Sequence, residues 1–302
     1  LKTISTGVES LDEFLLGGFR IGRPSLIYGP KNVGKSLLSL QLSIRCAHFL
    51  KKPVLYIDTE AMWLPDAYNL WYSYFKKRWN LPAKLDIDFK FIPSLFKLGR
   101  YFGIEYQVLA TEKRQEIMAK FPRRGKKEGV KTSIQTEDWL ERSPIWDDLK
   151  KKDYGLIILD SITRPLKSVI SKSTQNLPAR GSALDPLLSA FLDISNEKEI
   201  AVIVTNHFVI SPMSRNPYGI PWGGADIEYF IKHIIGIIPS LKASRIKYGS
   251  FSGAGADVQV SNVDPRLVIR HRFPGLLYDM LVVCIQKNYG FTDVPDYRSG
   301  KG

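Results

Sequence analysis

The sequence predicts an α/β fold: a mostly parallel, twisted, doubly wound sheet between helices, with antiparallel strands added on its C-terminal side. Three observations predict it. Short apolar runs at 24–28, 54–58, 156–160 and 201–206 are separated by stretches that include helical patterns, the mark of strands buried on both faces. A glycine-framed octapeptide, 29–36, sits between the first of these strands and an amphipathic helix. After Trp222 the apolar runs follow one another without helices between them, as in an antiparallel extension.

Along the chain, 1–22 reads as a lead-in with a helix over 9–16. The strand 24–28 comes next. The helix 35–50 carries Leu37, Leu38, Leu40, Leu42 and Ile44. The second strand, 54–58, ends in Asp58, and the third, 156–160, is bracketed by Gly155 and Ser161. A helix is expected over 184–196 and a fourth strand over 201–206. The runs 231–238, 244–248, 267–272 and 280–286 complete the set, with 249–255 as a Gly/Ser turn. The segment 62–152 is the least regular. It opens with aromatic residues and turns basic, with eight Lys/Arg against three Glu over 110–131. It is expected to be a basic, partly helical insertion in a single domain spanning 1–302.

The composition suits a globular chain, with 44% hydrophobic and 24% charged residues. No apolar run reaches the roughly 18 residues of a membrane span, and the N-terminus has no secretory pattern. Cys46 and Cys284 form neither a CxxC nor a metal spacing, which suggests buried thiols in a reducing cytoplasm. The net charge of +13 points to a nucleic-acid partner rather than a membrane.

The octapeptide Gly29, Pro30, Lys31, Asn32, Val33, Gly34, Lys35, Ser36 fits G-x-x-x-x-G-K-[ST]. Its glycines let backbone N–H groups turn inward around a phosphate, and the helix that follows, with Leu37 in its first turn, adds its positive end. Lys35 is expected to reach the β- and γ-phosphates of ATP, and Ser36 to ligate Mg²⁺. Asp160 ends an apolar strand, where a carboxylate faces the ligand crevice and can hold the same Mg²⁺. Glu60, after Asp58 and Thr59, is the candidate to polarise the attacking water. Asn206 is placed to sense the γ-phosphate, and its neighbour His207 either does the same or is a satisfied strand-end histidine.

Taken together these residues resemble the RecA/RadA recombinase family, and within it most of all an archaeal RadA paralogue. The lead-in Ile4-Ser5-Thr6-Gly7, Leu11-Asp12 and Leu15 with Gly17-Gly18 precedes the octapeptide. Tyr56 to Glu60, Ile158 to Ser161, Ile200 to Asn206 and Trp222-Gly223-Gly224 follow in the family's order. The resemblance implies a RecA-like P-loop core, DNA-stimulated ATP hydrolysis and single-stranded DNA binding by two mobile loops. The first loop is expected within 163–183, with Arg164, Lys167, Lys172 and Arg180. The second is expected within 209–221, with Arg215 beside Met213 and Tyr218. Where the family usually carries an Arg after the glutamate, this chain has Leu64, so Trp63 and Pro65 are expected to line the base. The family's Gln after the sensor Asn is His207 here. No upstream DNA-binding domain or Phe-x-x-Ala hook is expected ahead of Leu1. A monomer or small oligomer that modulates the main RadA recombinase is therefore expected, rather than a filament former.

Two other functions use the same fold. A KaiC-like regulatory ATP-binding protein would act through protein partners without DNA, and an ATP-gated adaptor would turn over slowly or not at all. The acid-free loop and the single octapeptide favour the DNA-binding ATPase over the first. The presence of both Lys35 and Glu60 favours it over the second.

Overall fold

The computed structural model describes residues 2–108, 130–133, 139–169, 177–209, 219–223, 225–239, 263–272, 277–286 and 290–293. The elements in chain order begin with β1 (Thr3–Ile4), α1 (Glu9–Phe14), β2 (Phe19–Arg20), β3 (Pro24–Gly29) and α2 (Lys35–Arg45). A π-helical turn, Cys46–Leu50, closes α2. Next come β4 (Val54–Asp58), α3 (Pro65–Trp79), β5 (Ile87–Phe91), α4 (Leu95–Tyr101), β6 (Glu105–Val108), β7 (Val130–Ser133) and α5 (Pro144–Lys151). The second half holds β8 (Leu156–Asp160), α6 (Thr163–Val169), α7 (Leu177–Glu197), β9 (Ala201–Val209), β10 (Ile220–Pro221) and α8 (Ala225–Phe230). It closes with β11 (His233–Pro239), β12 (Val263–Arg272), β13 (Leu277–Gln286) and β14 (Gly290–Thr292).

The main sheet runs β14-β13-β12-β11-β3-β9-β8-β4-β5, with β10 pairing on β9. From β11 to β5 every neighbouring pair is parallel, and β12, β13 and β14 add antiparallel pairs beyond β11. This is the expected architecture.

Alternate residues of each buried strand face opposite layers, as the pleat requires. Leu26, Leu55, Ile157 and Val202 join α4, α5 and α7 on one face, whereas Ile27, Tyr56, Ile158 and Ile203 join α1, α2 and α3 on the other. Both faces are covered, so these strands read as continuous apolar runs.

The segment 62–152 departs from its expectation as an insertion. Much of it belongs to the core: β5 is a further parallel strand on β4, and Leu95, Leu98, Ile145 and Trp146 are buried in the apolar layer above the sheet. Its helices begin where local chemistry dictates. Pro65 opens α3, the Ser94 hydroxyl accepts from the Lys97 N–H at the start of α4, and Ser143 caps α5 ahead of Pro144. The basic stretch 109–129, like the strand and turn expected over 244–255, lies outside the described residues. Cys46 and Cys284 are both buried and are not joined in a disulfide. Among the described residues no helix is long and apolar enough to cross a membrane.

Candidate functional site

The C-terminal ends of β3, β4, β8 and β9 are neighbours in the sheet, which brings the Gly29–Ser36 turn, Asp58, Asp160 and Asn206 to one edge. In this class of sheet that edge is the ligand crevice. Asn32 and Gly34 both take positive φ, 62° and 97°, so the loop turns its backbone around a concave interior. A side chain at Gly34 would be strained by that φ, and its Cβ would also lie 2.5 Å from Ile285 Cδ1. Lys31 and Asn32 are exposed, while Val33, Lys35 and Leu37 are buried. The Lys35 ammonium curls into the loop and donates to the carbonyls of Gly29 (3.0 Å) and Pro30 (2.7 Å). Burial pulls its pKa down, and Asp160 and Glu60 pull it back up.

Asp160 is buried within a ring of donors. Its Oδ1 accepts from Thr205 Oγ1 (2.5 Å), its Oδ2 accepts from the Tyr56 hydroxyl (2.8 Å), and the Ser36 side chain hydrogen bonds to it as well. Burial pushes the Asp160 carboxyl upward, against the three hydrogen bonds that favour its charged form. Tyr56 in turn accepts from Trp63 Nε1 (2.8 Å). Asp58 turns the other way: its carboxylate accepts from the backbone N–H groups of Glu60 (2.8 Å) and Trp63 (3.0 Å), shaping the turn after β4.

Glu60 stands half-buried on the rim. Its Oε1 accepts from Ser161 Oγ (2.6 Å) and lies 3.5 Å from His207 Nε2. The His207 contact, followed by Ser161 and the nearby charge of Arg164, holds the Glu60 pKa at about 2 against the opposing effect of burial. Asn206 is fully buried. Its amide oxygen accepts from Thr163 Oγ1 (2.6 Å) and its amide nitrogen donates to the Trp222 carbonyl (2.8 Å). The His207 N–H also donates to Thr163 Oγ1 (2.9 Å), and the Trp222 N–H donates to the His207 carbonyl (2.9 Å). Asn206 thus ties the start of α6 to the residues that follow 210–218. Both ends of its amide are committed to protein partners rather than to the crevice.

Trp63 is not an open platform for a base: its ring is buried with the apolar layer and its Nε1 is used by Tyr56. The first DNA loop is expected within 163–183, and two helices occupy part of that range. α6 covers Thr163–Val169 and α7 begins at Leu177, so only 170–176 between them lies outside the described residues. Arg164 and Lys167 are exposed on α6, with Lys167 Nζ 5.8 Å from the Trp222 ring. Arg180 is within α7, while Lys172 and Arg215 lie outside the described residues.

Sequence reasoning missed Tyr56, Thr205, Thr163, Ser161 and Arg266. Arg266 is a buried arginine on β12 that donates from Nε to the Val33 carbonyl (3.2 Å), bracing the phosphate-loop turn from the antiparallel strands. Polar residues inside apolar strands were the available signal for Tyr56 and Thr205, because a buried hydroxyl implies a partner.

Comparison with known proteins points to the same fold. A family model described as "ATPase: KaiC" matches residues 4–63. The chain is similar to the DNA repair and recombination protein RadB of Thermococcus gammatolerans, 44% identical over 63 residues, which are 21% of this chain and 27% of that protein. It is also similar to the DNA repair and recombination protein RadA of Metallosphaera sedula, 24% identical over 251 residues, 81% of this chain and 64% of that one. The matched stretches thus span from about a quarter to just under two thirds of these relatives' length. The crystal structure of the RadB recombinase shares the fold, with a TM-score of 0.54 and 20% identity over 96% of this chain and 99% of that chain. The N-terminal sequence likeness and the common fold together support the resemblance to the RecA/RadA recombinases.

Proposed function

We propose that this chain binds MgATP at the Gly29–Ser36 loop, hydrolyses it, and couples the reaction to single-stranded DNA. In this reading it is a cytoplasmic monomer or small oligomer that modulates the main recombinase. The observation that carries the reading is the Asp160 cluster. A carboxylate is buried at a strand end, oriented by Thr205 and Tyr56, and bonded to the hydroxyl of the loop serine.

The residues present suit Mg²⁺. Ser36 and Asp160 offer the hard oxygen donors that it prefers. Among the described residues no group of three His, Cys, Asp or Glu side chains could hold a metal, so phosphate oxygens and water would complete the shell, as is usual for Mg²⁺. When bound, the ion would neutralise charge on the β- and γ-phosphates. Lys35 would exchange its two carbonyl partners for phosphate oxygens. Glu60, ionised at neutral pH, would accept a proton from the attacking water. Ser161 and His207 fix the direction in which that carboxylate points.

Coupling to DNA follows from Asn206 and Thr163. They join the start of α6, where Arg164 and Lys167 are exposed, to Trp222, and His207 reaches from the same strand end to Glu60. A strand bound on α6 and the neighbouring loops would therefore press on the groups that orient Glu60. The test is ATPase activity with and without single-stranded DNA across a salt series. Turnover that rises with DNA at low salt, together with DNA retention that falls steeply with salt, supports the proposal. Turnover indifferent to DNA, with no retention at low salt, removes it. The family-model match over 4–63 favours a second reading, a regulatory ATPase acting through protein partners. Autophosphorylation without any DNA binding would select it.

A further inference from the structure

The end of the sheet opposite the phosphate loop carries a separate concave site. A cavity of 470 Å³ opens where β3 begins at Pro24 and β11 begins at His233. The six residues of β3 separate it from the Gly29 turn, roughly 17–20 Å at strand rise. Its volume falls in the range of small-ligand sites, about 300–1,000 Å³.

The walls are of two kinds. Leu15, Leu16, Leu192 and Phe230 form an apolar side, and Arg20, Arg23, Lys232 and Arg270 supply four cationic side chains. Among the described residues, no Asp or Glu lines the cavity. The cations come from four separate places: β2, the turn before β3, the residue before β11, and β12. Tertiary folding, not a local charge run, therefore concentrates them.

Two of the lining side chains are held in place by their neighbours. Arg270 is fixed by a hydrogen bond from Nη1 to the Phe14 carbonyl (2.6 Å), with its guanidinium 5.2 Å from the Phe14 ring. His233, held by Ser25 (2.8 Å) and edge-on to Phe19 (5.5 Å), has its pKa lowered to about 4, first by burial and then by Arg20 and Arg270. Both guanidiniums therefore act on the same small space, and the imidazole adds no charge there at neutral pH.

Four cationic side chains lining one concavity favour an anion within it. A simple inorganic ion would leave the apolar side of the cavity unused. Phe230 faces that side, and its chain neighbour Tyr229, 74% exposed with Lys232 Nζ 5.7 Å from its ring, offers a second aromatic surface. An anion joined to a flat apolar ring satisfies both walls.

We propose that this cavity is a nucleotide-unit site distinct from the phosphate loop, holding a phosphate among Arg20, Arg23, Lys232 and Arg270 and a base against Phe230. The unit can belong to a single strand or be a free mononucleotide, since both present the same chemistry. The inference does not rest on ATP hydrolysis, and it survives if that reading fails.

The test measures binding of two probes to the full chain at low salt, 4-thio-dTMP and a ten-residue oligo(dT) carrying one 4-thiothymidine. Both are followed by photocross-linking and peptide mapping. The expected result is a cross-link at Tyr229 or Phe230. The Arg20→Ala/Arg23→Ala variant should lose about tenfold in affinity for at least one probe, while Arg20→Lys/Arg23→Lys retains most of it. Loss for the oligonucleotide alone assigns a strand, and loss for 4-thio-dTMP assigns a free nucleotide. Thermal melting checks that each variant folds. If the double alanine variant does not, Lys232→Glu is measured for the same loss. No binding of either probe, affinities within about twofold of the parent in a folded variant, or cross-links confined to segments away from 229–233 would each overturn the proposal.

Discussion

His207 Nε2 stands 3.5 Å from Glu60 Oε1, so the residue at the end of β9 touches the carboxylate that follows β4. The two are far apart in sequence and belong to strands separated in the sheet by β8. Ser161, directly after β8, donates to the same Glu60 oxygen and fills the gap between them. A change in the chain after His207 therefore has a short mechanical route to the proposed catalytic base.

Glu60→Gln keeps the size of the side chain and removes its basicity. Its kcat for ATP is expected to fall about 100-fold or more, the usual loss for a general base, with KM little changed. Steady-state kinetics with and without single-stranded DNA check this. A kcat within a factor of about three of the parent would move the base elsewhere.

Acid stability should carry the signature of the same residue. The Glu60 pKa is held at about 2, from an ordinary 4.5, chiefly by its contact with His207. The unfolded chain thus binds more protons than the native one between those values. The stabilising contribution is complete above 4.5 and is lost as pH falls toward 2. Urea unfolding midpoints should drop less between about pH 5 and pH 3 in Glu60→Gln than in the parent. Identical slopes would show that Glu60 is not held ionised.

Thr205→Val removes the donor to Asp160 Oδ1 while nearly preserving shape. An unsatisfied buried acceptor costs about 1–3 kcal/mol, so the melting temperature should fall. The Mg²⁺ concentration needed for half-maximal turnover should rise, because the carboxylate loses its orientation. Calorimetry and a metal titration separate the two effects.

Arg164→Ala/Lys167→Ala should weaken single-stranded DNA binding evenly across sequences. If each side chain meets one phosphate, the slope of log K against log salt becomes shallower by about 1.4. An unchanged slope would remove α6 from the DNA path.

Much of the architecture was legible in the chain itself. Runs such as Leu156-Ile157-Ile158-Leu159 have no polar alternation because both faces of β8 are covered. The Gly29–Ser36 turn was legible because its backbone shape depends on its own glycines. By contrast, β5 was missed. Its Ile87-Asp88-Phe89-Lys90-Phe91 pattern is that of a partly exposed edge strand, lying within a segment whose basic stretch suggested a loop. Trp63 is expected beside a base because Leu64 stands where the family carries an Arg, but its indole N–H has a nearer partner in Tyr56.

By itself the sequence determined most of the strands and helices outside 62–152, where the phosphate-loop turn lies, and which strands end in carboxylates. These depend on local backbone preference and hydrophobic period, which act over a few residues. Only the tertiary structure decided that Tyr56 and Thr205 orient Asp160, that Arg266 braces Val33 from 233 residues away, and that four cations meet at the far end of the sheet. Those contacts arise from strand order and packing between distant segments, and no local pattern encodes them.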